Sequence, residues 1–212
     1  MTSTELAHDD SGWRRLLTHP RVYDAVQWTL GGPKAMERYV RDVIRPEPDA
    51  RILDIGCGPG SIVALLPEGV RYTGYDMNGD YILSARRRFG GQAEFFQGRV
   101  GATNPLTDAG SFDLVTANSL LHHLEDEDVH ALMDAARAHL RPGGTFVTLD
   151  PVHAADSSPI ARLLVGMDRG HRVRTAACYR ALLSSGFASI EDRVIDDLLR
   201  VPYTHYVARC TA

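Results

Sequence analysis

At 212 residues the chain is long enough for one well-buried core and too short for two comfortable domains. A hydrophobic share of 44% and a charged share of 24% exclude wholesale disorder, and 23 basic against 27 acidic side chains exclude a general attraction to nucleic acid or to an anionic membrane. Three cysteines outside any CxxC spacing, Cys57, Cys178 and Cys210, argue against a disulfide framework or a zinc site, and the start of the chain lacks a basic and apolar leader, so the expectation is a cytoplasmic protein with a small-molecule partner, no metal, no nucleic acid and no membrane.

In chain order, Trp13, Leu16, Leu17, Val22, Val26 and Leu30 recur at helical intervals, broken at His19-Pro20. Pro33 suits the first turn of a further helix with Met36, Tyr39, Val40, Val43 and Ile44 along one side, stopped by Pro46 and Pro48. Residues 1–49 therefore read as a helical lid. The stretch RILDIGCGPG, Arg51 to Gly60, is an apolar strand carrying one acid, Asp54, that runs into a glycine turn where the backbone can be approached without a Cβ in the way. Ser61 to Leu66 reads as a short helix, Arg71 to Asp76 as a strand closing on an acid, Tyr81 to Phe89 as a basic helix and Ala93 to Gln97 as a third strand.

Phe112 to Ala117 is a fourth strand opening into Asn118, Ser119, Leu120, Leu121, His122, His123 and Leu124. The four acids Glu125 to Asp128 fit the first turn of the amphipathic helix that follows, where negative charge meets the positive end of the helix dipole. Arg141-Pro142-Gly143-Gly144 is expected to end that helix, with Thr145 to Asp150 as a fifth strand. Pro151 to Arg174 is irregular and basic with a short helix at Ile160 to Val165, Thr175 to Ser185 is a helix, and Ala188 to Ile195 with His205 to Cys210 should pair antiparallel. Strands alternating with helices are the pattern of a doubly wound α/β sheet in a single domain.

A glycine turn by itself serves several nucleotide chemistries. A dehydrogenase fingerprint is GxGxxG, whereas this chain has GxGxG with Pro59 between the last two glycines, and its acid is Asp76. DIGCGPG (Asp54 to Gly60), YTGYD ending at Asp76, FDLVTANSLLHHL (Phe112 to Leu124), LRPGGTFVTLD (Leu140 to Asp150) and the closing strand pair together resemble a class I S-adenosylmethionine-dependent methyltransferase of the small, type 11-like kind. That resemblance implies a Rossmann-like sheet of seven strands with the last antiparallel, residues 50–150 as cofactor-binding core and 151–212 as acceptor side.

It also implies that Asp54 and the turn Gly56, Cys57, Gly58 and Gly60 hold the methionine part of S-adenosyl-L-methionine, that Asp76 takes the ribose, and that Met77 and Asn78 lie beside the sugar and adenine. Where many relatives have an acid for the adenine amino group, this chain reads Gly98-Arg99, with Val100 or a backbone group as substitute. Asn118, Ser119 and Leu120 would pass under the sulfonium. Methyl transfer needs alignment and a dry site, and needs a base only where the acceptor holds a proton tightly. The base candidates are His122, His123 and His153, with Tyr203 and His205 at the acceptor pocket, each weighed against plain packing. Asp168, Arg169 and His171 form a charged cluster that could orient an acceptor or simply face solvent. Trp13, Tyr23, Trp28 and Tyr39 read as core, one of them facing the cofactor. The competing classes are a nicotinamide-dependent oxidoreductase and a non-catalytic cofactor-binding protein; oligomeric state is not legible.

Overall fold

Strand β1 (Arg51–Ile55) buries Ile52, Leu53, Asp54 and Ile55, so both of its faces are covered. Such a strand belongs in the interior of a parallel sheet sandwiched between helices. The computed structural model, which describes residues 32–99, 110–166 and 172–211, places it there. The other strands are β2 (Arg71–Asp76), β3 (Ala93–Gln97), β4 (Phe112–Asn118), β5 (Leu140–His153), β6 (Arg174–Thr175), β7 (Ser189–Ile195) and β8 (His205–Thr211). They form one path in the order β3-β2-β1-β4-β5-β8-β7, seven strands as the resemblance implied. β8 runs antiparallel between β5 and β7. The eighth strand, β6, is two residues long and pairs with Val152 and His153 at the end of β5.

Helices cover both faces: α1 (Gly32–Tyr39), α2 (Gly79–Phe89), α3 (Asp126–His139), α4 (Pro159–Gly166) and α5 (Ala176–Ser184). On one face Leu53, Val115, Phe146 and Tyr206 pack against Val129, Met133 and Ala136 of α3 and Tyr179 and Leu183 of α5. On the other, Ile52, Tyr72, Leu114, Val147 and Val207 pack against Tyr39, Val43 and Ile44 and against Ile82, Ala85 and Phe89 of α2. No helix among the described residues is long and apolar enough to cross a membrane.

The structure departs from the sequence pattern in three places. α1 does not continue as an α-helix but widens into a π-helical turn at Val40–Ile44, whose free carbonyls are taken up by distant arginines: Arg193 bonds Asp42 O, and Arg209 bonds both Val43 O and Ile44 O. The Arg-Pro-Gly-Gly segment is not a break before β5 but lies inside it: Phe112 pairs with Leu140 and Leu114 with Thr145, so four residues bulge out, with Gly143 at a φ of 75°. The short helix expected from Ser61 to Leu66 takes the tighter 3-10 form over Ser61–Leu65. The readings at Trp13, Leu16, Leu17, Val22, Tyr23, Val26, Trp28 and Leu30 lie outside the described residues.

Candidate functional site

The carboxyl ends of β1, β2, β4 and β5 and the amino end of β8 share one edge of the sheet. In an open α/β sheet this edge, at the point where strand order reverses, is where ligands sit. β1 leaves it through a turn in which Gly56, Gly58 and Gly60 have φ of 80°, 56° and 71°. Gly56 N and Cys57 N both donate to Tyr75 O, at 2.7 and 2.9 Å, tying the turn to β2. The glycines differ in what surrounds them. A Cβ on Gly60 would fall 2.7 Å from the Phe95 ring, so that position serves packing, whereas a Cβ on Gly58 would meet nothing within 4 Å. Gly58 is thus the open part of the cradle. Cys57 fills the space over Gly74, and burial, reinforced by Asp54 and Asp76, pushes its thiol well up, which suits a filler and not a nucleophile.

Asp76 ends β2 beside this opening. Its Oδ2 accepts from Gly58 N at 2.9 Å and its Oδ1 from Asn78 N at 2.8 Å. Burial raises its pKa and the two N–H donors pull it back, leaving it raised. A carboxylate has about four lone-pair sites, so two remain for a ligand. The neighbouring residues differ in what they contact. Asn78 is the N-cap of α2, its side chain accepting from Asp80 N and Tyr81 N, so its carbonyl oxygen is engaged locally. Met77 is 63% exposed at the rim. Gly98 N bonds back to Asp76 O, and the exposed Arg99 reaches Asp128 at 3.7 Å. Val100 lies outside the described residues.

Asp54 lies buried at the carboxyl end of β1. Its Oδ2 accepts from the Tyr72 hydroxyl at 2.5 Å and its Oδ1 from the Thr116 hydroxyl at 2.8 Å, and it is 5% exposed. Burial lifts its pKa to about 6 against the pull of those two donors, with Asp76 adding to the rise. The acid expected to hold the methionine part therefore bridges β1, β2 and β4 from within the sheet.

Across the edge, Asn118 ends β4, Ser119 takes a φ of 51° and donates its N–H to Leu149 O at 2.7 Å, and the Leu120 side chain lies over Gly56, 3.3 Å from where a Cβ would be. A left-handed serine costs energy that the surrounding bonds must offset, and such residues gather at functional sites. The Tyr39 side chain, buried at the end of α1, faces this point: burial, Asp54 and Asp150 raise its pKa, and the adjacent Asn118 side chain lowers it.

The two adjacent histidines separate cleanly. In the 3-10 turn Leu121–His123, His122 points inward and His123 outward, their rings 4.0 Å apart. His122 is 3% exposed; its Nδ1 lies 2.7 Å from Asp150 Oδ1, and its backbone N–H donates to the same oxygen at 3.2 Å. Thr148 Oγ1 lies 2.7 Å from Asp150 Oδ2, completing the carboxylate's shell. An aspartate that accepts from Nδ1–H leaves Nε2 as the basic nitrogen.

His153, at the end of β5, is exposed and paired through its backbone with Thr175. His205 is buried at the start of β8 with its ring 5.0 Å from the half-buried Tyr203. All five candidates thus share the edge, and His122 is joined to a buried acid, Asp150. Asp168, Arg169 and His171 lie outside the described residues.

Several contributors were not singled out from sequence: Tyr72 and Thr116 around Asp54, Asp150 behind His122, and Arg174. Arg174 threads into the turn, donating to Leu121 O, Leu124 O and Asp126 Oδ1, while Arg172 N donates to His122 O and its side chain pairs with Glu125. The acidic run therefore both starts α3 and anchors the segment beyond α4. Its partners stand 47 and 48 residues away, too far for a local pattern to reveal. A cavity bounded by Leu66, Pro67, Val70, Tyr72 and Gln92 opens at the amino ends of β2 and β3, the opposite edge, and has no part in this site.

Residues 52–144 match the family described as methyltransferase domain. A trans-aconitate 2-methyltransferase from Azoarcus sp. (strain BH72) is 31% identical over 182 residues, 76% of this chain and 69% of that protein. A ubiquinone biosynthesis O-methyltransferase from Xanthomonas campestris pv. campestris is 34% identical over 128 residues, 55% of this chain and 53% of that protein. Among solved structures, human N-acetylserotonin methyltransferase in complex with S-adenosylmethionine shares the fold, with a TM-score of 0.66 at 20% identity over 91% of this chain and 55% of that one.

Proposed function

The chain belongs to the class I S-adenosylmethionine-dependent methyltransferases, and from that premise we propose that it transfers the cofactor's methyl group to a small-molecule acceptor. One observation carries the cofactor half. Asp76 is hydrogen-bonded to the N–H of Gly58, so a carboxylate with spare lone pairs and an open stretch of glycine backbone form one rigid unit. Such a unit fits a nucleoside whose diol meets the acid and whose remaining chain follows the turn.

The cofactor, when bound, supplies an activated methyl on a positively charged sulfur. The rest falls to the chain's own residues. Asp76 would hold the ribose; Gly56, Gly58 and Asn118 would line the methionine part; Ser119 and Leu120 would fix the position under the reacting centre. Leu120, packed over Gly56 and against the core of the α3 face, keeps water from one side. His122, oriented by Asp150, would accept the acceptor's proton at Nε2 if one must leave; His205 and Tyr203 would shape the far wall, with His123 and His153 at the rim. Residues 50–150 would then form the cofactor half and 151–212 the acceptor half of one domain, in a cytoplasmic protein. The O-methyltransferase among the relatives favours an oxygen acceptor.

Calorimetry with S-adenosylhomocysteine and with NADH tests the reading. The homocysteine ligand should bind and NADH should not; the reverse pattern would sink it. Asp76→Ala should weaken S-adenosylhomocysteine by about 1–3 kcal/mol through loss of charge-assisted bonds. Turnover on a panel of hydroxyl, carboxylate and amine acceptors then identifies the atom methylated, and a chain that binds the cofactor yet methylates none of them would be a binding protein.

A further inference from the structure

Arg174 is a cation held almost out of water. Its side chain is 9% exposed, whereas that of its ion-pair partner, Asp126, is 67% exposed. An acid so open to solvent offsets little of the cost of burying a cation. The other bonds of the guanidinium account for its place better. One terminal nitrogen, Nη1, donates to Leu121 O at 2.8 Å, and the other, Nη2, donates to Leu124 O at 2.7 Å. These carbonyls bracket the 3-10 turn Leu121–His123 that carries His122.

That turn has little to hold it from within. It is three residues long, Leu120 at its start has no polar side chain to cap it, and it closes on His123 N to Leu120 O at 3.0 Å and Leu124 N to Leu121 O at 3.2 Å. Short 3-10 turns have poor hydrogen-bond geometry, and carbonyls at the end of a helical turn need partners from elsewhere. The stretch Arg172 to Arg174 supplies them, since Arg172 N donates to His122 O at 3.0 Å, between the two carbonyls that Arg174 takes.

The same arginine reaches the strand that carries Asp150. Its backbone is level with Val152 in the β5–β6 register, two residues past the aspartate. Its guanidinium lies 5.8 Å from the centre of the Tyr179 ring, and the Tyr179 hydroxyl donates to Pro151 O at 3.1 Å. Thr175 caps α5 by accepting from Cys178 N, so Arg174 projects from the start of a helix whose Tyr179 and Leu183 belong to the core. We propose that Arg174 is a positioning residue for the His122–Asp150 pair: by fixing the 3-10 turn against β5 and α5, it sets where His122 Nε2 stands relative to the acceptor. The proposal rests on the reading of His122 as the group that takes the acceptor's proton. A displacement of about 1 Å at a reacting group can cost about a hundredfold in rate, so a turn this short needs an outside anchor to serve that role.

The test is a double-mutant cycle on the full chain, read as kcat with the hydroxyl acceptor of the panel that is turned over fastest, beside calorimetry with S-adenosylhomocysteine. Arg174→Met keeps the stem and removes the donors; it should lower kcat about 10–100-fold and leave S-adenosylhomocysteine affinity within about twofold. Arg174→Lys, which keeps the charge but not the fork, should recover part of the loss, and it carries the same cycle if the methionine variant does not fold. In a His122→Ala background the Arg174 substitution should cost nothing further, because a residue that acts through His122 has nothing left to position. Proton NMR reads the same point without an acceptor: the Nδ1–H signal of His122, identified by its loss in His122→Ala, should be sharp in the wild type and broadened by exchange in the Arg174 variant. An equal loss of kcat in both backgrounds, a cofactor affinity that falls in step with kcat, or an Nδ1–H signal as sharp as in the wild type would overturn the proposal and leave Arg174 as a support of the fold. A His122→Ala chain that turns over as fast as the wild type would instead overturn the base reading on which the proposal rests.

Discussion

Among the described residues, the two faces of the sheet each bury one aspartate, and they treat it differently. On the α1–α2 face, Asp54 is held by two hydroxyls, Tyr72 and Thr116, which donate hydrogen bonds but carry no charge, and its pKa rises to about 6. On the α3–α5 face, Asp150 is held by the imidazole and backbone N–H of His122 and by Thr148. The first arrangement ties three strands together through uncharged donors; the second includes a ring able to take up a proton. Burial alone therefore does not make an acid catalytic; the partner decides whether it has a proton acceptor to orient.

The largest expected effect is at Asp150. Asp150→Ala leaves the Nδ1–H and backbone N–H of His122 buried without an acceptor, at about 1–3 kcal/mol each, so the urea midpoint should fall by the equivalent of about 2–6 kcal/mol and turnover should collapse with it. Asp150→Asn, which can still accept from the ring, should recover much of the stability. Wild-type stability in the alanine variant would show that the two aspartates are equivalent after all.

At Asp54 the sign differs. Its folded pKa lies above the free value of 3.8, so folding favours the protonated acid; the stability it contributes is complete below about pH 4 and is lost as pH rises through 6. A rise of about two units corresponds to about 3 kcal/mol. Asp54→Asn should remove that loss, flattening the dependence of unfolding free energy between pH 4 and 7 in a series of urea titrations. A variant with the same slope as the wild type would place the titration elsewhere.

The smallest effect is at His123, whose ring is exposed beside that of His122. His123→Ala should change stability by less than about 0.5 kcal/mol and leave kcat and its pH profile intact, whereas His122→Ala should lower kcat by about 10²–10⁴ on a hydroxyl acceptor. If His123→Ala lost the activity instead, the inward ring would be packing and the outward one the base.

Much of the cofactor half could be read from residues near one another in sequence: the apolar strand into glycines, the acid closing β2, the alternation that sets the sheet. What escaped was whatever depends on partners across strands. The segment around Asp54 shows the acid but not its donors: Tyr72 and Thr116, 18 and 62 residues on, each donate to one of its oxygens. His122 and His123 are indistinguishable in a string that reads LHHL; only the 3-10 turn and the acid 28 residues later send one in and the other out. The Arg-Pro-Gly-Gly segment reads as a helix stop by composition, yet β4 offers it a pairing edge and a bulge absorbs the surplus residues.

The insertion of β8 between β5 and β7 sets an order of events during synthesis. β7 leaves the ribosome before β8, but among the described residues β8 is the strand that pairs with it. At ~5–20 residues per second, β7 waits about a second or longer as an unpaired ribbon. Its sequence, SIEDRVI, carries three successive charged residues, Glu191, Asp192 and Arg193, and charge on a strand discourages a stray neighbour from adding to an open edge. The charges on β7 thus serve the nascent chain as well as the finished sheet, guarding a gap that only the later strand can fill.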